Sequence, residues 1–184
     1  MSDTAQRIAA IANALPHPLV IAIDGRAAAG KTTLANALSA LLCAPVVQMD
    51  HFFLPAALRT ETRYAEAGGN VDYARFLADV LPHLLANESF AYRPFDCKSM
   101  TLSEEIQIPA APVRIVEGSY ALHPRFGVYA QLSLFCDVDR TVQRTRILAR
   151  NGASAETFFQ RWIPLEEAYF SAYGIRESAK MVVA

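Results

Sequence analysis

Residues 25–33 read Gly25-Arg26-Ala27-Ala28-Ala29-Gly30-Lys31-Thr32-Thr33, a full match to the spacing G-x-x-x-x-G-K-[ST]. That spacing suits the binding of phosphate. Two glycines let the backbone curl so that its N–H groups face the β- and γ-phosphates of a nucleotide, and a helix starting there adds the positive end of its dipole. Lys31 can reach the β/γ oxygens, and the Thr32 hydroxyl is placed to ligate Mg²⁺. A glycine-containing turn capped by threonine is the plainer reading of the same residues. It leaves unexplained the apolar run Leu19-Val20-Ile21-Ala22-Ile23 ahead of the loop and the helical pattern Leu34, Leu38, Leu41, Leu42 behind it. The expected ligand is a nucleoside triphosphate, ATP with Mg²⁺.

Two acids stand where they could complete such a site. Asp50 follows the short apolar run Val46-Val47-Gln48-Met49, and Glu117 follows Val113-Arg114-Ile115-Val116. Open parallel sheets bind ligands at the carboxyl ends of their strands, which is where both acids fall. Phosphoryl transfer needs a carboxylate that orients and deprotonates an acceptor hydroxyl, and oxygen ligands for hydrated Mg²⁺. Asp50 fits the first role and is a further oxygen near the metal. Glu117 fits the second. Asp50 could instead cap the turn at His51-Phe52-Phe53, and Glu117 could be a solvated turn residue. A later helical stretch carries Arg144, Arg146 and Arg150, with the last two sharing a face at i, i+4. Guanidinium groups there could stabilise the charge on a transferring phosphoryl group, although an arginine row can also be a solvated face.

Absences narrow the reaction. No N-K-x-D base reader of the GTPase type occurs. The strand before Gly118 ends in a single acid, not in the Asp-Glu pair whose second carboxylate activates water in many ATPases. Transfer to a small-molecule hydroxyl is therefore the expected chemistry, ahead of ATP hydrolysis.

The elements that must position these residues alternate. A helix is expected over 3–14, a strand over 19–23, a helix to about Leu42, and a strand at Val46–Met49. A helix follows from about Asp72, kinked at Pro82. An extended polar stretch occupies 90–110. Strands at 113–116 and 132–136, helices at 139–150 and 154–172, and a last strand at 181–183 complete the chain. This order predicts an α/β fold of the P-loop NTPase type: three layers, with a five-stranded parallel sheet covered by helices on both faces. One domain over 1–184 is expected, with an acceptor-binding insertion at about 51–110 and a lid at about 140–158.

Composition agrees with a globular enzyme. The chain has 184 residues, 53% of them apolar, and a net charge of −1 from 17 basic and 18 acidic side chains. No basic block suggests a nucleic-acid or membrane partner. Cys43, Cys97 and Cys136 lack C-x-x-C spacing, and the four histidines form no ligand cluster, which argues for a reducing cytoplasm and against a zinc site. No signal peptide or membrane span is expected.

Over nearly its whole length the chain resembles the uridine kinase branch of the phosphoribulokinase/uridine kinase superfamily. Met49-Asp50-His51-Phe52-Phe53 is similar to that family's Asp-x-Phe/Tyr-Phe/Tyr motif, whose Asp is the catalytic base. Asn70-Val71-Asp72 resembles its Asn-Phe-Asp segment, which implies that Asp72 contacts ribose hydroxyls. Val116-Glu117-Gly118 and Leu122 resemble the strand end that brings an acid to the metal. Phe135-Cys136-Asp137-Val138-Asp139, with Arg146 and Arg150, is similar to the strand and lid helix that close over ATP. Trp162-Ile163-Pro164 and Ala179-Lys180-Met181-Val182-Val183 resemble its final helix and strand. The resemblance implies a homo-oligomer.

The sequence departs from that pattern at Tyr92-Arg93-Pro94-Phe95-Asp96-Cys97-Lys98. Tyr92 is kept, but Arg93 stands at the family's Asp and Cys97 where a His is expected. Arg93 and Tyr92 are thus expected at the acceptor. A phosphorylated or acidic acceptor would suit Arg93 and Lys98, which could equally be solvated charges. Pantothenate, nicotinamide riboside, glycerate and sugars stand beside a nucleoside as acceptors, and a nucleotide-binding regulator without catalysis is the reading from another class.

Overall fold

The computed structural model describes residues 2–184. The chain begins with helix α1 (Ser2–Asn13), strand β1 (Leu19–Gly25), helix α2 (Lys31–Leu42) and strand β2 (Val46–Gln48). A 3₁₀ turn over Met49–Phe52 leads to short helices α3 (Glu61–Ala65), α4 (Tyr73–Asp79) and α5 (Leu81–Ala86). The stretch expected to be extended contains four short strands: β3 (Phe90–Tyr92), β4 (Phe95–Asp96), β5 (Thr101–Leu102) and β6 (Ile106–Ile108). They form two antiparallel two-stranded ribbons, β3 with β6 and β4 with β5. Strands β7 (Val113–Glu117) and β8 (Leu132–Cys136) follow, then helix α6 (Arg140–Asn151), the single turn α7 (Ala155–Thr157), helices α8 (Ile163–Tyr173) and α9 (Ile175–Ser178), and strand β9 (Met181–Val183).

The main sheet has the order β2-β7-β1-β8-β9, with every neighbouring pair parallel. The expected five-stranded, doubly wound sheet is therefore present. Its central strand shows why. In β1, Leu19, Ile21 and Ile23 pack with Ile8 of α1, Leu34 and Leu38 of α2, and Ile115 and Leu134. The alternate residues Val20 and Ala22 face the other layer, with Phe52, Phe76, Val116, Phe135, Tyr169 and Phe170. Side chains alternate across a strand, so an unbroken apolar run needs a covering layer on each side.

Register brings the functional ends together. Ile23 and Gln48 both pair with Glu117, and Gly25 pairs with Cys136. Gly25 is needed at this point: its φ is +132°, and a Cβ there would lie 2.1 Å from the Cys136 carbonyl oxygen.

Two helices depart from their expected course, both at proline. The helix from Asp72 is broken outright, with Val80 at φ −124°, ψ −55° between α4 and α5. Pro82 sits in the first turn of α5, where its missing N–H costs nothing. The expected helix over 154–172 is a composite: a 3₁₀ turn at Gly152–Ser154, α7, a π turn at Phe158–Trp162, then α8. Pro164 cannot donate to the carbonyl four residues back, so the backbone widens just before it.

Candidate active site

The P-loop joins β1 to α2 and opens into a cavity of about 880 Å³. Ala27, Ala28, Gly30, Lys31, Thr32 and Thr33 line it. Gly25, Arg26 and Ala29 belong to the loop but not to the cavity wall. Arg26 turns away: its Nε donates to Asp137 Oδ1 at 2.8 Å and its guanidinium pairs with Glu167, fastening the loop to the end of β8 and to α8. The ammonium of Lys31 donates to the carbonyls of Gly25 (2.6 Å) and Arg26 (2.9 Å), so the loop already cradles its own lysine.

Under the loop lies Asp24, a residue not singled out by sequence reasoning. It is fully buried. Its carboxylate accepts from the backbone N–H groups of Gly25, Tyr120 and Leu122 and from the Tyr169 hydroxyl. Burial raises its pKa to about 6, against the pull of those N–H groups and the Lys31 charge. Asp24 thus ties the P-loop, the segment after β7 and helix α8 to one carboxylate.

Glu117 ends β7 and is 5% exposed. Its carboxylate accepts from the Thr32 hydroxyl at 3.2 Å. Burial and then the neighbouring Asp50 charge raise its pKa, while Lys31 and Thr32 oppose the rise. Asp50 lies in the 3₁₀ turn after β2, exposed to the cavity between buried Met49 and Phe52. The cap position of that turn is Gln48, so Asp50 is not spent as a cap. The arrangement of Thr32, Glu117 and Asp50 is an open edge of hard oxygen donors. It fits Mg²⁺, which keeps several waters and takes its other ligands from phosphates. Among the described residues, no cluster of three or more His, Cys, Asp and Glu side chains forms a closed cage.

Helix α6 reaches over the loop. The Gln143 side chain donates to the Ala27 carbonyl at 3.0 Å, and Arg146 to the Ala28 carbonyl at 3.0 Å. Both Arg146 and Arg150 line the cavity, as the shared helix face requires. Arg150 also lies over the Phe158 ring, 5.4 Å from its centroid. Arg144 points elsewhere, over Phe159. From α8, Glu166 enters the same cavity: Oε2 accepts from the Ala27 N–H at 2.9 Å, and Oε1 from the Ser119 hydroxyl at 2.5 Å. A glutamate on a helix looks solvated in sequence, and nothing there signals this contact with a loop far away in the chain.

Three residues expected at the acceptor, Asp72, Tyr92 and Arg93, are not among those that line the cavity. Asp72 caps α4, accepting from the Arg75 N–H at 3.2 Å. Tyr92 is 2% exposed, and its hydroxyl bonds His51 Nδ1 at 2.9 Å. Arg93 lies on the surface and donates to the carbonyls of Ser103 and Leu102. The lining also includes Phe53, Arg59, Tyr64, Asn70 and Cys97, with Trp162 from the π turn. Of the Asn70-Val71-Asp72 segment, Asn70 lines the cavity and Asp72 does not.

No protein-family model matches the chain. Two solved structures resemble it over almost all of their length. A possible uridine kinase from Bacillus stearothermophilus superposes with a TM-score of 0.78 at 19% identity, covering 99% of this chain and 98% of that one. A candidate fructose transport system kinase from Silicibacter sp. TM1040 gives a TM-score of 0.73 at 23% identity, covering 96% and 98%. At these identities the likeness shows the fold alone: an α/β fold with a five-stranded parallel sheet, shared with these two structures.

Proposed function

We propose that the protein is an ATP-dependent phosphotransferase that phosphorylates a hydroxyl of a small acceptor. One observation carries this reading: Lys31 and Thr32 of the P-loop, Glu117, Asp50 and the helix arginine Arg146 all line one cavity. The P-loop N–H groups and Lys31 hold the triphosphate, and Arg146 and Arg150 meet the charge on its transferring end. Thr32 and Glu117 would hold Mg²⁺, with Asp50 nearby, and the ion supplies neutralisation of phosphate charge. Asp50 accepts the proton of the acceptor hydroxyl. The hydroxyl oxygen forms a bond to the γ-phosphorus as the bond from that phosphorus to the β–γ bridging oxygen breaks, leaving ADP.

The two similar structures are described in terms of a nucleoside and a sugar, so these classes lead the list of acceptors, followed by pantothenate, nicotinamide riboside and glycerate. The free thiols of Cys43, Cys97 and Cys136 are consistent with work in a reducing compartment such as the cytoplasm. ADP release, measured with MgATP alone and with each acceptor, tests the reading. Release that depends on one acceptor, and stops on chelation of Mg²⁺, is expected. Equal release without any acceptor points to an ATPase, and no release with any acceptor points to a nucleotide-binding regulator.

A further inference from the structure

The Asp50 carboxylate has no ion-pair or hydrogen-bond partner among the described residues. Its aim into the cavity is therefore set by the backbone of the 3₁₀ turn Met49–Phe52 that carries it. Three residues grip that turn from outside. Arg75 Nη2 donates to the His51 carbonyl at 3.2 Å, and the guanidinium carbon lies 4.9 Å from the centre of the Phe52 ring. The Asp72 N–H donates to the Phe52 carbonyl at 2.7 Å. His51 Nδ1 bonds the Tyr92 hydroxyl at 2.9 Å, and the Tyr92 ring packs on Phe52 with centroids 5.1 Å apart.

Arg75 also joins the turn to another element. The same Nη2 donates to the Arg93 carbonyl at 2.8 Å, just after β3. The arginine is itself held, since its N–H donates to the Asp72 carboxylate at the start of α4 and its Nε lies 4.0 Å from Asp79, one helical turn on. A planar, always-charged guanidinium that bridges two carbonyls fixes their spacing, and charge-assisted hydrogen bonds are the stronger kind. Asp72, Tyr92 and Arg93, the residues expected at the acceptor, thus converge on the turn of Asp50, Arg93 through Arg75. Neither Arg75 nor Tyr92 lines the cavity. Any effect they have on the reaction must pass through the residues they hold.

We propose that Arg75 is a positioning residue for phosphoryl transfer: it locks the turn that aims Asp50 at the acceptor hydroxyl, with Tyr92 as a second prop acting through His51. The inference rests on the reading of Asp50 as the base. A reacting group displaced by about 1 Å can lower the rate by roughly 10²-fold, so a turn held by few contacts is a sensitive point.

Kinetics of Arg75→Met test this. The substitution keeps the side chain's length and its packing on Phe52 but removes both donated bonds. With the acceptor that is turned over, kcat should fall about tenfold or more, while the KM for ATP holds because the P-loop is untouched. Arg75→Lys can still donate to one of the two carbonyls and should recover part of the loss. Tyr92→Phe removes a single hydroxyl and should lower kcat by a smaller factor, which keeps a readout if the Arg75 variants do not fold. The cycle with Asp50→Asn separates positioning from plain structural support. Once the base is gone its aim has no value, so Arg75→Met and Tyr92→Phe should lower kcat no further on that background. The same loss with and without the base would overturn the proposal. So would an undiminished kcat in the single variants; if Asp50→Asn is slow in that case, the base reading stands and only this inference falls. An Asp50→Asn variant with full kcat, or no acceptor-dependent ADP release by the unaltered protein, would remove the underlying reading and this inference with it.

Discussion

Asp50 and Glu117 stand at the same end of the sheet in unlike surroundings, and the difference separates the roles proposed for them. Asp50 is exposed to the cavity, whereas Glu117 is buried and bonded to Thr32. A base must reach the incoming hydroxyl, so Asp50→Asn should lower kcat by roughly 10²–10⁴, the usual contribution of a positioned base. The KM for ATP should stay nearly unchanged, because the P-loop is intact. Steady-state kinetics with the turned-over acceptor decide it, and an undiminished kcat removes Asp50 from the mechanism. Glu117 gives a pH prediction. Its pKa is raised by burial and by Asp50, so it takes up a proton at a higher pH than an ordinary glutamate. On acidification the apparent affinity for Mg²⁺ should fall early, and Glu117→Gln should be weak at all pH values. A Mg²⁺ titration of activity across pH reads both. At this scale the sequence is legible where chemistry is contiguous. The P-loop carries its own context in nine residues, but Arg59 and Asn70 join the cavity that Lys31 lines only once the chain has folded.

The elements around the P-loop do more than continue the chain. Gln143 and Arg146 of α6 and Glu166 of α8 all bond its backbone, so two helices hold the loop's shape from above while Asp24 holds it from below. Glu166→Ala would leave the Ala27 N–H and the Ser119 hydroxyl without their acceptor. Two lost bonds to a charged group, at about 1.5–3 kcal/mol each before solvent or relaxation compensates, should lower Tm by roughly 4–10 °C in a chain of this size. Nucleotide affinity should fall with it, because the loosened N–H belongs to the phosphate loop. Differential scanning calorimetry and nucleotide titration of the same variant test the pair, and a stable variant with altered affinity would confine Glu166 to ligand binding. The elements themselves were readable to the extent that they are regular. The apolar alternation of β1 and β7 and the leucine spacing of α2 extend over enough residues to show a period. Strands of two or three residues, such as β4 and β5, are too short to show one, and the π turn before Pro164 is a local response to a missing N–H that periodicity does not register.

At the level of the whole molecule, the P-loop and the cavity residues proposed to meet an acceptor come from different stretches of chain, and the proposed transfer requires them to stay in register. Those residues belong to the segment between β2 and β7, most of which packs on one face of the sheet through Phe52, Phe76, Phe90 and Tyr92. One buried charge fastens that segment to the sheet. Arg114 in β7 is 1% exposed, and its guanidinium donates to the carbonyls of His83, Leu84 and Glu88 at the end of α5. The last carbonyls of a helix have no partner within it, so a cation there both satisfies them and meets the negative end of the helix dipole. In the sequence, Arg114 is only a polar break in an apolar strand, because its three acceptors lie in a separate element. Arg114→Leu keeps much of the side-chain volume but takes the guanidinium donor from the Leu84 and Glu88 carbonyls, while that of His83 keeps the N–H groups of Asn87 and Glu88; the cost is about 1–3 kcal/mol for each carbonyl left unpaired and out of reach of water. With at least one carbonyl kept from water, the expected fall in Tm is roughly 3–10 °C. Since Arg114 touches neither the P-loop nor the cavity, the KM for ATP should hold while the KM for the acceptor rises. Equal changes in both would mean that the segment is not independently anchored and that the sheet itself has shifted.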